Sequence, residues 1–355
     1  MSAETMDWLV NNLRIGYTDE RGPAWWAAGN EYMADGSHFS GPVPEEEVRR
    51  LLDVPLVEAK LFAQYTDAAG ERQVVTDPER KVILTPDTGD ILGIFKSGYR
   101  VHGYQKWTAD QIAAILDTSR GELGTAAVGL LRKRGVAFIQ AKLAGSGMEV
   151  GGFPFAPYIT AATSVDGTLS STYAVGVEAA VCDNTLAAAL SNAVNRLKVR
   201  HSRNSTGKLA EVRDALGLVY QAADEFAKAA ADLQSVDVSE KDFAAWLDEM
   251  RPIPAADPKS STGGAKYSNA VKYHDTMRAM WLHDPKVKPW AGTGFGILQL
   301  DNTYRTWERN VSGAEGAQME RNLLNMVTGK SATEDEAALT ALAKVLDRKL
   351  VVAVS

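Results

Sequence analysis

Arg196, Lys198, Arg200, Arg203 and Lys208, with His201 among them, crowd the segment NRLKVRHSRNSTGK, and residues 184–210 around it contain no Asp or Glu. Guanidinium and ammonium groups on a turn between two helices are suited to phosphate: they neutralise backbone oxygens, while N–H groups opening the next helix, near Asn204 to Lys208, add anion affinity. The same charges have a second reading, as a solvated turn whose cations satisfy a helix C-terminus at Arg196 to Arg200 through its dipole. Composition does not separate the two. A smaller basic group, Arg132, Lys133 and Arg134, stands before a strand candidate and could extend the same groove.

Cys182 and His201 invite a different chemistry, a thiol nucleophile with an imidazole base, which also needs a third group to orient the histidine. The surrounding sequence supplies none. A lone cysteine at the end of an apolar strand reads more simply as a small buried hydrophobe. His38, His102, His274 and His283 lack the spacing of a metal site. Gly329-Lys330-Ser331 is no phosphate loop, because Leu324 stands where the leading glycine belongs and the segment follows a helix. The glycines of AGTGFG (291–296) read as a close backbone approach before a helix. No catalytic residue, metal or cofactor is expected.

These residues need a scaffold, and 355 residues are enough for a well-buried core. A hydrophobic fraction of 45% with 23% charged residues describes an ordinary globular chain and excludes a fibrous or wholly disordered one. The net charge of -7 argues against a general polyanion coat, so any nucleic acid must bind at a local patch. One cysteine excludes an intrachain disulfide and a multi-cysteine metal cluster. The first residues lack a secretory pattern and no run approaches the length of a membrane span, so no membrane partner is expected.

Residues 1–55 read as irregular and turn-rich, with Trp25 and Trp26 adjacent, as a core plug or a stacking surface. Strand patterns follow over 56–104, with a turn at Asp67 to Gly70 and a hairpin turn in TPDTGD (85–90). Thr108 is the expected N-cap of a helix, and a second helical stretch is expected to end near Arg134-Gly135. Three strands over 136–144, 155–165 and 171–181 form an antiparallel meander. Asp183, Asn184 and Thr185 then cap a helix running to about Arg196, and another helix spans 205–234. The remainder reads as helices at 239–250, 267–282, 295–311, 315–328 and 334–348. This organises the chain as an irregular and β-rich region (1–104), a meander-plus-helix core with the basic turn (105–250), a linker or loop (251–266) and a helical region (267–355). The fold class expected is α+β, antiparallel meanders followed by helices, with a mainly helical C-terminal half.

Five segments resemble, in order, a phage- and plasmid-borne family catalogued as a domain of unknown function, number 932. They are GPAWWAAG (22–29), DTGDILGIFKSGYR (87–100), VCDNTLAAAL (181–190), RHSRNSTGKLAEVRDALGL (200–218) and GTGFGILQLDNTYRTWER (292–309). The family's first motif usually carries His after Trp, where Trp26 or Ala27 stands here, and this argues against a catalytic histidine in that loop. The resemblance implies a phage gene product, acting in the cytoplasm of the bacterial host. The order of three strands and a helix also resembles the core of phage single-strand annealing proteins of the RecT, Red-beta and Erf type. That likeness implies single-stranded DNA as ligand and a ring or filament homo-oligomer. The resulting expectation is a recombination or replication accessory, which could also anneal strands, that holds DNA through Arg196, Lys198, Arg200, His201, Arg203 and Lys208, then Arg132, Lys133 and Arg134. Its rivals are a protein that binds and redirects a host protein through its helical half, and an enzyme built on Cys182 and His201.

Overall fold

The computed structural model describes residues 8, 10–21, 36–118, 123–143, 148–150, 153–179, 185–186, 196–202, 227–254, 261–309 and 317–350. It divides into two compact units, one holding residues 1–146, 158–175 and 194–220, the other 147–157, 176–193 and 221–355. The architecture is α+β as expected, with antiparallel sheets in the N-terminal half and helices in the C-terminal half.

In the first unit, β1 (Leu13–Ile15) and α1 (Glu45–Leu51) precede a three-stranded sheet of β2 (Val57–Thr66), β3 (Arg72–Thr85) and β4 (Asp90–Lys96), in the order β2-β3-β4. Both hairpin turns fall where the sequence predicts them. At the first, Asp67 Oδ1 accepts from the backbone N–H of Ala69 and Glu71, each at 2.9 Å, which closes the turn before Arg72. A π-helical turn (Gln105–Ala109) then runs straight into α2 (Asp110–Thr118). Thr108 is therefore no N-cap. It lies buried inside the helical stretch, and its hydroxyl donates back to the Tyr104 carbonyl.

The larger sheet runs β1-β5-β6-β8-β9, with β5 at Leu123–Leu131, β6 at Val136–Leu143, β8 at Phe153–Ser164 and β9 at Ser171–Ala179. Residues on both sides of β6, Phe138 and Ile139 among them, are fully buried, which is why VAFI at its start reads as an apolar run without alternation. Ile112 and Ile115 of α2, which packs on β6, are buried as well. Each such side chain contributes about 1.5–3 kcal/mol.

Two expectations fail here. The stretch LGTAAVGLL is strand β5, and not a helix ending at Gly135. Its glycine at 129 is required by packing, since a Cβ there would lie 2.4 Å from Leu13 Cδ2 and 2.5 Å from the Phe138 ring. The helix expected from Asp183 to Arg196 is also absent at both of its described pieces. Thr185–Leu186 is β10, paired with Glu178 and Val177 of β9, and Arg196–Val199 is β11, paired with Ala174 to Ser171 of the same strand. An open edge of β9 offers these residues backbone partners, which outweighs the capping residues and the leucine spacing. The likeness to annealing proteins rested on a helix directly after the third strand, and the described residues put strands there.

In the second unit the far ends of β8 and β9 pair with β7 (Met148–Val150) and β10. Its helices are α3 (Glu240–Met250), α4 (Ser261–His283), α5 (Gly294–Thr303), α6 (Ala317–Thr328) and α7 (Lys330–Val345), near the sequence expectations except that α4 begins inside the expected linker. Ser239 and Asp242 form a reciprocal capping box at α3. Phe243, Trp246, Trp281 and Phe295 fill the core. All ten residues of α5 are buried, and a Cβ on Gly296 would sit 2.0 Å from the Trp290 carbonyl oxygen and one on Gly294 3.1 Å from that of Leu233, so these two glycines serve a close approach, whereas Gly292 takes a positive φ with no neighbour near. Gly329, at φ 82°, lets α6 hand over directly to α7. No helix among the described residues is long and apolar enough to cross a membrane.

Candidate nucleic-acid interface

β11 decides how the main basic cluster is presented. In a strand, side chains alternate, so Lys198 stands on the side of β11 opposite Val199, and Arg200 follows one residue beyond the strand's end. Position 199 falls on the other side, opposite Ser171, and Val199 is buried. Lys198 and Arg200 are exposed, and neither makes an ion pair among the described residues. For Arg196 the structure describes the backbone in β11, and Arg203 and Lys208 lie outside the described residues, as does Cys182.

The second basic group is held very differently. Arg132, Lys133 and Arg134 form the tip of the β5–β6 hairpin with φ values of 53°, 54° and 68°. Three successive non-glycine residues in the left-handed region cost about 1 kcal/mol or more each. Neighbouring carboxylates hold them there. Arg132 Nε meets Asp166 Oδ2 at 2.6 Å, Lys133 Nζ meets Asp90 Oδ1 at 3.3 Å, and Arg134 grips both oxygens of Asp87 at 2.9 and 2.8 Å. Tyr104 hydroxyl donates to the Arg134 carbonyl, which fixes the loop backbone. The Arg134 hydrogen bonds lower the Asp87 pKa; for Asp90 the Thr88 hydroxyl leads and Lys133 follows. The tip thus meets carboxylates of the β3–β4 and β8–β9 turns, firmly at Arg134 and through a largely exposed pair at Lys133.

His201, expected beside the β11 cations, belongs instead to a column of rings. Phe95, Tyr99, His201, His102 and Trp107 stack in that order, with centroid separations of 4.0, 5.0, 3.9 and 3.5 Å. Polar atoms along the column form a chain. His201 Nδ1 is 3.2 Å from the Arg100 carbonyl oxygen, which can only accept, so Nδ1 carries the proton and Nε2 accepts. Thr163 hydroxyl then donates to His201 Nε2 at 3.5 Å, Ser171 hydroxyl donates to Thr163 Oγ1 at 2.7 Å, and His102 Nδ1 must donate to Ser171 Oγ at 2.7 Å. Burial keeps both imidazoles neutral at pH 7. Burial lowers the His201 pKa to about 4, against the opposing pull of the Arg100 carbonyl, and lowers that of His102 to about 3, with His201 and Lys106 adding to the effect. Held neutral in this way at pH 7, the His201 ring adds no positive charge to the β11 cations.

Sequence reasoning misses this column entirely, because its members are spread over Phe95 to His201 and no local spacing unites them. It also misses a buried charge centre in the second unit. Arg305 lies between Asp301 (2.8 Å from Nε) and Asp335, with Asn302 Nδ2 on Asp335 at 3.2 Å and Glu334 at 3.3 Å. Burial raises the pKa of Asp301 and takes that of Asp335 to about 7, although Arg305 opposes both shifts. Among the described residues no group of three or more His, Cys, Asp or Glu is placed to hold a metal ion.

Comparison with known proteins finds one family. A family model described as a domain of unknown function, DUF932, matches residues 92–328, which includes the ring column, β11 and, of the buried charge centre, Asp301 and Arg305 but not Glu334 and Asp335. Neither a curated protein nor a solved structure matches the chain.

Proposed function

The chain belongs to the DUF932 family, and on that premise we propose that it binds single-stranded DNA through the cations of β11 and the turn after it. One observation carries the reading. Of the basic residues singled out, those at 132–134 are paired with carboxylates, whereas Lys198 in β11 and Arg200 just after it are exposed with no ion pair among the described residues. Unpaired cations at the end of an edge strand suit the backbone of an extended nucleic acid, which binds by phosphate neutralisation and needs no catalytic group. Arg196, Arg203 and Lys208 continue the track in sequence. The role that follows is a phage recombination or replication accessory in the bacterial cytoplasm, with strand annealing as its further step and no nucleotide cofactor.

A fluorescent oligonucleotide titrated at several salt concentrations tests this. Affinity should fall steeply with salt, and Lys198→Ala with Arg200→Ala should flatten the logarithmic slope by about 1.4, at roughly 0.7 for each phosphate no longer neutralised. Absence of binding at low salt sinks the proposal. Complementary oligonucleotides that pair no faster with the protein than without it would confine the role to binding.

A further inference from the structure

The outer side of the β2-β3-β4 sheet is apolar along the whole of β2, yet open to solvent. Cross-strand partners share a face, so the register places Val57, Leu84 and Ile91 on one rung and Ala59, Val82 and Ile94 on the next. Past the bulge, Leu61, Ala63 with Val75, and Tyr65 with Gln73 continue the same side towards the hairpin tip. The opposite side at the base carries Ile83 and Thr85, both fully buried. Apart from Phe62 and Val74, which stand exposed on the opposite side near the hairpin tip, this period-2 alternation is the signature of a strand with one covered face. Here most of that face is bare: Val57 is 42% exposed, Tyr65 51%, Val75 54%, Ile91 65% and Ile94 52%, while Val82 in mid-sheet is buried.

These five side chains leave on the order of 500 Å2 open, near the top of the roughly 300–600 Å2 of the largest patch on an ordinary monomer. Leu61, Ala63, Ala59 and Leu84 bring the face towards the ~800 Å2 that each partner buries in a stable interface. The charges on the rungs of this side lie at its middle: Arg80 and Lys96 share one rung, and Asp77 stands beyond the bulge, 3.8 Å from Arg80. Cations on one side of a midpoint and an anion on the other are complementary to their own image under a two-fold rotation. An isologous pairing about that midpoint sets Arg80 and Lys96 of one copy against Asp77 of the other. It also lays Ile91 and Ile94 of one copy over Val75 and Tyr65 of its partner. Single-stranded nucleic acid does not suit this face, because the turn beyond it presents Asp67 and Glu71.

We propose that this face is a two-fold interface between two copies of the chain, packed sheet on sheet. Such a contact closes after two copies and does not propagate into a ring or filament. The inference is independent of DNA binding, which draws on β11.

Sedimentation of the full chain across a concentration series should show the mass rising from 38.3 kDa to twice that value. A copy carrying Asp77→Arg should stay monomeric, since its arginine meets the partner's Arg80 and Lys96. A copy carrying Arg80→Asp and Lys96→Asp should stay monomeric for the converse reason. An equal mixture of the two should regain the dimer, because every facing pair is then opposite in charge. Ile91→Lys with Ile94→Lys should weaken association at least about 100-fold, with an unchanged circular dichroism spectrum as the check on folding. Wild-type chain that remains monomeric to ~100 μM, well above ordinary homodimer constants, overturns the proposal. So does an assembly larger than two, or a wild-type dimer whose two charge variants fail to pair when mixed.

Discussion

His102 and His201 stack with ring centroids 3.9 Å apart and planes inclined by 17°, and a chain of hydroxyls through Ser171 and Thr163 links one imidazole to the other. Two histidines at contact distance cannot both take a proton without repulsion, and burial already opposes each charge.

The first unit should therefore lose stability in mild acid. Both folded-state values, about 3 and about 4, lie below the ordinary 6.5, so between pH 4 and 6.5 the unfolded chain binds more protons than the native one. Stability is fully present above pH 6.5 and is lost as pH falls, by at most about 1.4 kcal/mol per pH unit for each ring. Urea denaturation at pH 7, 5.5 and 4.5 measures the slope. His201→Phe, which keeps the stack and removes one titrating group, should reduce it by about half.

The buried aspartates of the second unit predict the opposite sign. Asp335 titrates near 7 in the fold and near 4 when unfolded, so the native state holds the extra proton between these values and stability falls as pH rises through them. The groups facing it are Arg305, Asp301, Asn302 and Glu334, with Arg309 bound to Glu334 at 2.9 Å. Asp335→Asn should gain on the wild type as pH goes from 5 to 8. Arg305→Met leaves two buried carboxylates without their counter-ion and should cost about 3–5 kcal/mol at neutral pH, read as a fall in melting temperature.

At the β5–β6 tip, Lys133 has φ 54° and its side chain is 79% exposed, so its ion pair with Asp90 contributes little. Lys133→Gly should relieve the left-handed strain and stabilise the protein by about 0.5–1 kcal/mol. The salt dependence of DNA binding should be unchanged by it. A slope that drops by about 0.7 would show that the tip contacts phosphate after all.

Gly296→Ala should destabilise the second unit by roughly 2 kcal/mol or more, because the new methyl would overlap the Trp290 carbonyl at the start of a fully buried helix. The soluble yield and the melting temperature of the variant report this. Ala291→Ser, in the same motif but in an exposed position, serves as the control.

Much of the scaffold was legible from local pattern. Alternation in VEAKLFAQYT and the turn chemistry of Asp67 and TPDTGD locate the small sheet, and the helical periods of the last third locate α3 to α7 closely. The candidate site was legible only as composition. Lys198 and Arg200 stood out by charge, but their presentation depends on a strand, ending at Val199, that the sequence disguises as the end of a capped helix. The stretch LGTAAVGLL misleads for a related reason, since small residues chosen for close packing against Leu13 and Phe138 carry no alternation.

What the sequence determines by itself are the quantities set by residue type and near neighbours: an α+β class, the hairpin turns, an acidic chain with one basic segment, and the absence of any paired cysteines. Which of its charges stay unpaired, which histidines become neutral, and which apolar side is left bare were decided by tertiary structure. Arg134 meets Asp87 across 47 residues, and His102 meets Ser171 across 69. Such pairings depend on the register of strands brought together from afar, and in that register a backbone seeking partners for its hydrogen bonds overrides local preference.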